Sequence, residues 1–280
     1  MNIREALSTA VALYSRPIPY QEYTPELDAR VLLSWVMGYS SAALLARYPE
    51  PLAEDRKNIF FELWQKRRSG VPIAYLTGTR EFYGRNFLVD PRVLIPRPDT
   101  EILVEKVLQD IDEPQARLLD CCTGSGCIAL TLAAERPGWE ISATDISREA
   151  LDLAQHNELQ ILEVPRISWI QTNLVQGLKK KFRAIVANPP YLTEAEMESR
   201  SRAGWIEPEI ALVSGATGLD HIRRLIIQAK SLLSPGGELY IESSPDQAAE
   251  IQTLLSQAGY ADIQSTTDLS GNLRVSQGRR

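Results

Sequence analysis

From residue 99 onward, strand-like and helix-like segments alternate, and this constrains the fold more than any other feature of the chain. Short apolar, β-branched runs stand near 117–121, 140–145, 167–172, 183–187, 237–242, 261–267 and 272–277. Helical spacing falls near 99–110, 126–136, 147–160, 218–233 and 245–258. Such a succession predicts parallel strands joined by right-handed crossovers, with helices on both faces of one sheet. The last two strands follow each other with no helix between them, so they are expected to pair antiparallel.

The preceding residues have a different texture. The segment "TPELDARVLLSWVMG" opens with Thr24 and Pro25 as cap and first-turn residues. It then sets Leu27, Val31, Leu32, Trp35 and Val36 at helical spacing before Gly38. "PLAEDRKNIFFELWQKRRSG" repeats the pattern with Ile59, Phe60, Leu63 and Trp64, ending at Gly70. Residues 1–70 are therefore expected to form a small helical domain. Between 71 and 96, aromatic residues mix with Gly78, Gly84 and three prolines, which predicts a linker of one or two β-hairpins. Residues 97–280 form the third division, the alternating α/β domain.

Composition excludes several classes. No run approaches the roughly 18 apolar residues of a membrane span. The N-terminus carries Arg4 and Glu5 and lacks a signal-peptide apolar core, so a cytoplasmic protein is expected. The three cysteines, Cys121, Cys122 and Cys127, make a poor disulfide framework. With no histidine near them in sequence, reduced packed thiols are expected in place of a metal site. The two histidines, His156 and His221, fall in helical patterns, where structural or surface roles are expected and acid–base chemistry is not. The net charge of −6 is concentrated after residue 75, and the basic cluster "WQKRRSG" at 64–70 reads as a solvated helix end. That balance lacks the footprint of a nucleic-acid enzyme.

Two short segments carry the chemistry. In "RLLDCCTGSGCIALTLA" (117–133) a strand runs into a glycine turn and then a helix. Gly124 and Gly126 allow a tight turn and close approach of a ligand at the carboxyl end of the strand. Nineteen residues past Gly126, Asp145 ends the next strand, where a carboxylate can accept the hydroxyls of a ribose. The loop also fits the loose dinucleotide pattern G-x-G-x-x-G/A, so by itself it leaves NAD and S-adenosylmethionine both open.

The second segment, Asn188-Pro189-Pro190-Tyr191, ends the strand near 183–187 on the same sheet edge. It suits an acceptor that is a planar NH2 group conjugated to a carbonyl or a ring. The side-chain oxygen of Asn188 and the carbonyl of Pro189 can accept its two in-plane hydrogens, in a segment whose φ angles the prolines fix. Tyr191 can pack on the π-face. The nitrogen loses its proton only as it is methylated, so no strong base is required, in keeping with the shortage of histidine.

At these residues the sequence resembles a known family. The tetrad "NPPY" is similar to the signature of amino-group methyltransferases acting on adenine, guanine or glutamine. Gly70 with "AYLTGTREFYGRNFLVDPRVLIPRPDTEILVE" (74–105), "EPEIALVSGATGLD" (207–220) and "DLSGNLRV" (268–275) resemble the HemK/PrmC family over nearly the whole chain. The resemblance implies a Rossmann-like class I methyltransferase fold: a seven-stranded, mostly parallel sheet with a C-terminal antiparallel hairpin, behind an all-α N-terminal domain that recognises substrate. The implied activity is transfer of a methyl group to the side-chain amide nitrogen of the glutamine in the Gly-Gly-Gln tripeptide of class 1 peptide-chain release factors, which supports translation termination. The cofactor is S-adenosyl-L-methionine and the product S-adenosyl-L-homocysteine. Carried across, Cys122, Thr123, Gly124, Ser125, Gly126 and Asp145 hold the cofactor. Asn173 and Leu174, where the family has an acidic residue before a hydrophobic one, meet the adenine, and Asn188 adjoins the cofactor as well. Asn188, Pro189, Pro190 and Tyr191 bind the acceptor glutamine, with Asn188, Pro189 and Tyr191 catalytic. Pro96 to Glu101 are expected to line the cleft. The chain departs from the family at Glu242-Ser243-Ser244-Pro245, where Glu-x-Gly is common, and at Cys121 and Cys122.

The partners implied are release factors, with no membrane, no direct nucleic-acid substrate and a monomeric enzyme. A ribosomal-protein glutamine methyltransferase shares the tetrad. A DNA adenine or rRNA guanine methyltransferase would fit the tetrad equally but not the acidic catalytic half. An NAD-dependent oxidoreductase leaves the tetrad without a role, and a pure binding module leaves the convergence of residues at one sheet edge without one.

Overall fold

A computed structural model of the chain describes residues 1–14 and 24–280, so residues 15–23 of the expected N-terminal domain lie outside the described residues. The chain forms two compact units: Met1–Thr79 with Glu198–Ile206, and Arg80–Met197 with Glu207–Arg280.

The first unit is helical. Helices α1 (Ile3–Ala12), α2 (Pro25–Met37), α3 (Ser41–Ala46), α4 (Glu54–Arg68) and α5 (Ile73–Thr77) follow in order. Pro25 supplies a first-turn φ, and Gly38 ends α2 in the left-handed region at φ 69°. Ile3, Leu7, Leu32, Leu33, Phe60 and Trp64 fill its core. The Trp64 indole N–H donates to the Ala10 carbonyl at 2.8 Å, and the buried pair Asp28–Arg67 closes at 2.7 Å. The short α5 stands where a hairpin linker was expected. Its five residues carry too little periodicity to separate a helix from a turn.

One hairpin follows, β1 (Thr79–Phe82) and β2 (Arg85–Leu88), joined by Tyr83 and Gly84. Both turn residues have positive φ (51° and 71°), as a type I′ turn requires. Among the described residues, no second hairpin forms before residue 99.

In the second unit, α6 (Thr100–Asp110) precedes β3 (Arg117–Cys121), α7 (Cys127–Glu135), β4 (Glu140–Asp145), α8 (Arg148–Ile161), β5 (Ser168–Gln171) and β6 (Phe182–Ala187). Next come α9 (Glu194–Arg202), which passes into the first unit at Glu198, then α10 (Asp220–Leu232), β7 (Leu233–Glu242), α11 (Ala248–Gln257), β8 (Ala261–Thr267) and β9 (Leu273–Arg279). The seven strands order as β5-β4-β3-β6-β7-β9-β8. Only β9 runs against its neighbours, pairing antiparallel with both β7 and β8.

The central strands are buried on both faces, so Leu118 to Cys121 of β3 and Ala184 to Ala187 of β6 are buried without alternation. Alternate residues serve opposite cores. Leu118, Val186 and Tyr240 join α6 and α7 on one side, while Leu119, Ile185 and Leu239 join α10 and α11 on the other. Sequence periodicity misses α9, because its stretch EAEMESRSR buries only Met197. Strand β7 starts at Leu233, four residues before the expected 237, and its pairing with β6 shifts register between Phe182 and Ala184.

Candidate active site

The carboxyl ends of β3, β4, β6 and β7 lie level. Cys121 pairs with Thr144 on one side and Ala187 on the other, and Ala187 pairs with Ile241. The residues just beyond these ends therefore meet at one edge, where the strand order reverses beside the first-used strand β3. A cleft opens there, lined by Cys122 to Ser125, Asp145, Asn173, Leu174, Asn188 and Pro190 among others.

Gly124 and Gly126 play different parts. Gly124 has φ 54°, and a Cβ placed on it would meet no atom within 4 Å, so its face is open toward the cleft. A Cβ on Gly126 would stand 3.0–3.2 Å from Trp169, Ala154 and Leu130. Gly126 therefore lets α7 pack against its neighbours and does not line the cleft.

Two buried side chains shape this loop, and neither drew notice in the sequence. Asp120, at the end of β3, accepts from the Thr123 hydroxyl at 2.5 Å and from the Ala129 N–H at 3.2 Å. It thus supplies the N-terminal cap that Gly126, the residue before α7, has no side chain to provide. Burial pushes its carboxyl up to about 7. Asn157 of α8 donates to the carbonyls of Leu88 and Ser125 (3.1 and 2.9 Å) and accepts from the Leu88 N–H at 2.6 Å, tying the hairpin to the glycine loop.

Asp145 ends β4 with each carboxyl oxygen taking a backbone N–H. Oδ2 accepts from Gly124 and Oδ1 from Ser147, both at 2.9 Å. These bonds fix its orientation, while desolvation by burial raises its pKa. Each oxygen keeps a second lone pair for a ligand hydroxyl. Asn173 and Leu174 also line the cleft, and Leu174 holds a positive φ of 56°. The side-chain oxygen of Asn173, expected to face an adenine, accepts from Arg224 at 3.0 Å.

Of residues 96–101, Pro96, Arg97 and Thr100 line the cleft. Glu101 turns away to accept from the Tyr83 N–H at 2.9 Å. Arg97 pairs with Glu207, which also accepts from the Ile95 N–H at 2.9 Å.

The tetrad leaves β6 into a braced loop. Pro189 and Pro190 are buried, and Leu192 bonds to Leu212 and Ser214 through N–H and carbonyl. Asn188 and Pro190 face the cleft, whereas Pro189 and Tyr191 are not among its lining residues. Tyr191 packs against the core under β3 and β6, and its carbonyl accepts from the Gln247 side chain at 2.9 Å. The Asn188 NH2 donates to Glu242 Oε1 at 3.0 Å and to Thr100 Oγ1 at 3.2 Å. The departure at Ser243-Ser244-Pro245 has its own stabilisation: Ser244 and Gln247 form a capping box on a single 3₁₀ turn.

His221 lines the cleft, a position its helical pattern did not predict. Its Nδ1 lies 2.8 Å from the Ser214 hydroxyl, and burial lowers its pKa, which keeps the ring neutral near pH 7. Cys122 also lines the cleft, with a positive φ of 64° and its sulfur 3.9 Å from that of Cys121. Hydrogen bonding to Cys121 and burial hold its thiol well above the usual range, and burial pushes Cys127 up to about 12, so both thiols stay protonated and unreactive.

Known proteins resemble this chain throughout. Residues 21–78 match the PrmC N-terminal domain, and residues 98–206 match the methyltransferase small domain. The release factor glutamine methyltransferase of Burkholderia pseudomallei is 39% identical over 90% of this chain and 91% of its own length. That of Coxiella burnetii is 41% identical over 92% of each. Among solved structures, a methyltransferase from Pyrococcus furiosus superposes with a TM-score of 0.52 at 16% identity, over 81% of this chain and 98% of its own, a likeness of fold. With the tetrad, the glycine loop and Asp145 on one sheet edge, these identities over nearly the full length lead to one assignment: the chain belongs to the release factor glutamine methyltransferase family.

Proposed function

We propose that this chain methylates the side-chain amide nitrogen of the glutamine in the Gly-Gly-Gln motif of class 1 peptide-chain release factors, using S-adenosyl-L-methionine, as a cytoplasmic monomer. The observation that carries the reading is the opening of Asn188 and Pro190 onto the same cleft as Gly124 and Asp145. The residues fit the cofactor: Gly124 leaves its face open, and Asp145 presents an oriented carboxylate suited to a ribose diol. Cys122 to Ser125, Asp145, Asn173, Leu174 and Asn188 would hold it, with Gly126 supporting the loop from behind. The bound cofactor supplies an electrophilic methyl group on a sulfonium.

This chain's residues do the orienting. The Asn188 side-chain oxygen and the Pro189 carbonyl accept the two N–H groups of the glutamine amide and aim its nitrogen. Buried prolines and the Leu192 backbone bonds keep those acceptors in place. Tyr191, packed against the core beside this loop, braces it. Because the amide nitrogen becomes acidic only as it gains the methyl, no strong base is needed, and the neutral His221 is not required as one. Orientation of this kind can supply roughly 7–11 kcal/mol of barrier lowering.

Residues 1–70 would recognise the release factor by protein shape, 71–96 would link, and 97–280 would carry the chemistry, with no direct nucleic-acid substrate. Cross-linking checks this division: links from 1–70 to a release factor are expected, and links confined to 97–280 would contradict it. The chemical assignment is tested with Asn188→Ala. Methyl transfer should be abolished while cofactor binding stays largely intact, since Asn188 is one of several residues that adjoin the cofactor, and loss of cofactor binding would mean that its main role lies there and not in the acceptor clamp.

A further inference from the structure

A primary amide is useful as an acceptor only when its oxygen, not its NH2, faces the ligand. The two ends of a carboxamide have nearly the same shape, so packing alone selects between them weakly. Selection must come from the hydrogen-bond partners on the far side.

At Asn188 those partners are defined. Glu242, at the end of β7 and 2% exposed, places Oε1 at 3.0 Å from Asn188 Nδ2. The Thr100 hydroxyl donates to the same Oε1 at 3.1 Å, which leaves the hydroxyl a lone pair to accept from Asn188 Nδ2 at 3.2 Å. The NH2 therefore meets two acceptors. Reversing the amide would set its oxygen against Glu242 Oε1, and the one Thr100 hydroxyl proton could relieve it only by giving up its own bond to that carboxylate. The other Glu242 oxygen, Oε2, is buried with no partner, so Oε1 is the oxygen the arrangement uses. Burial pushes this carboxyl up to about 7, and a proton on Oε2 would leave Oε1 an acceptor in either charge state.

We propose that Glu242, assisted by Thr100, is a positioning residue for methyl transfer: together they bind the NH2 of Asn188 and keep its oxygen turned toward the acceptor amide. Thr100 reaches this point from the first turn of α6 and Glu242 from β7, so the clamp on β6 is set by two elements far away in sequence. Ser244, two positions after Glu242 where the family commonly has glycine, caps the following turn, and the Glu242 contact to Asn188 stands beside it. The inference rests on the proposed acceptor-clamp role of Asn188.

The test uses the full-length enzyme, methyl-labelled S-adenosylmethionine and a class 1 release factor, with Glu242→Met, Glu242→Gln, Thr100→Val and Thr100→Ser. The constants to compare are kcat, KM for the release factor and Kd for the cofactor. Glu242→Met should lower kcat about 100-fold, the scale of a misplaced reacting group, with KM and cofactor Kd changed less than about threefold. Thr100→Val should lower kcat about tenfold. Glu242→Gln and Thr100→Ser, which keep an oxygen acceptor in place, should each recover most of the corresponding loss. Near-wild-type kcat in Glu242→Met would overturn the proposal. So would a Glu242→Gln as impaired as Glu242→Met, or losses falling on cofactor Kd in place of kcat. If Glu242→Met fails to fold, the Thr100 pair decides: equal kcat in Thr100→Val and Thr100→Ser overturns the role. A wild-type enzyme that labels no release factor would instead overturn the functional reading.

Discussion

Replacing Asp120 by asparagine should remove a pH dependence of folding stability that the native chain carries. Asp120 is fully buried, its Oδ2 holds the Thr123 hydroxyl and the Ala129 N–H, and its Oδ1 has no partner. Burial outweighs those two hydrogen bonds and raises the carboxyl from 3.8 to about 7. Below pH ~4 the group is protonated in both folded and unfolded chains, so it adds no pH dependence. Between ~4 and ~7 the unfolded chain ionises while the folded chain keeps its proton, and stability falls by about 1.4 kcal/mol per pH unit. From pH 5 to pH 8 the loss amounts to about 3 kcal/mol, complete once pH passes the folded value. Glu242, also raised to about 7, titrates in the same window but is present in both proteins and cancels in their difference. Urea unfolding of the native chain and Asp120→Asn at pH 5 and pH 8 measures that difference directly. Asp120→Asn should gain about 3 kcal/mol on the native chain between the two conditions. A difference between the proteins that stays constant across pH would refute the reasoning.

Two further perturbations separate the parts of the glycine loop. Asn157→Ala should strip partners from the Leu88 N–H, the Leu88 carbonyl and the Ser125 carbonyl, at about 1–3 kcal/mol for each that stays buried and unpaired, and should weaken cofactor binding as the loop loosens. Urea unfolding and calorimetric titration check the two effects, and an unchanged stability would contradict the bracing role. Gly124→Ala should raise the cofactor Kd with only about 1–2 kcal/mol of backbone strain, since its Cβ enters open space at φ 54°. Gly126→Ala should mainly lower the melting temperature, because its Cβ is crowded by Trp169, Ala154 and Leu130, and the opposite ranking would contradict the division of roles.

Much of this architecture was legible in local pattern. Doubly buried strands such as β3 and β6 announce themselves as short continuous apolar runs, and Gly124, Asp145 and the 188–191 tetrad sit where those runs stop. What stayed hidden depends on contacts between distant residues. Glu242 meets Asn188 across 54 positions and Thr100 meets it across 88, and no local periodicity carries such a pairing. Asn157 looks like an ordinary helical polar residue until α8 is packed beside the hairpin. Gly124 and Gly126 are indistinguishable in sequence, and only the third dimension gives one an open face and the other three close neighbours. Helix α9 buries a single apolar side chain, Met197, so an apolar pattern had no repeat to report.

The central claim, a glutamine-specific methyl transfer to a release factor, is tested most directly by locating the methyl group. The enzyme is incubated with methyl-labelled S-adenosylmethionine and, separately, a class 1 release factor, ribosomal protein and DNA, and the labelled protein is digested and sequenced by mass spectrometry. The account predicts a single methyl on the side-chain nitrogen of the Gly-Gly-Gln glutamine. Label on DNA or ribosomal protein with none on the release factor, or on the release factor at any other residue, would contradict it.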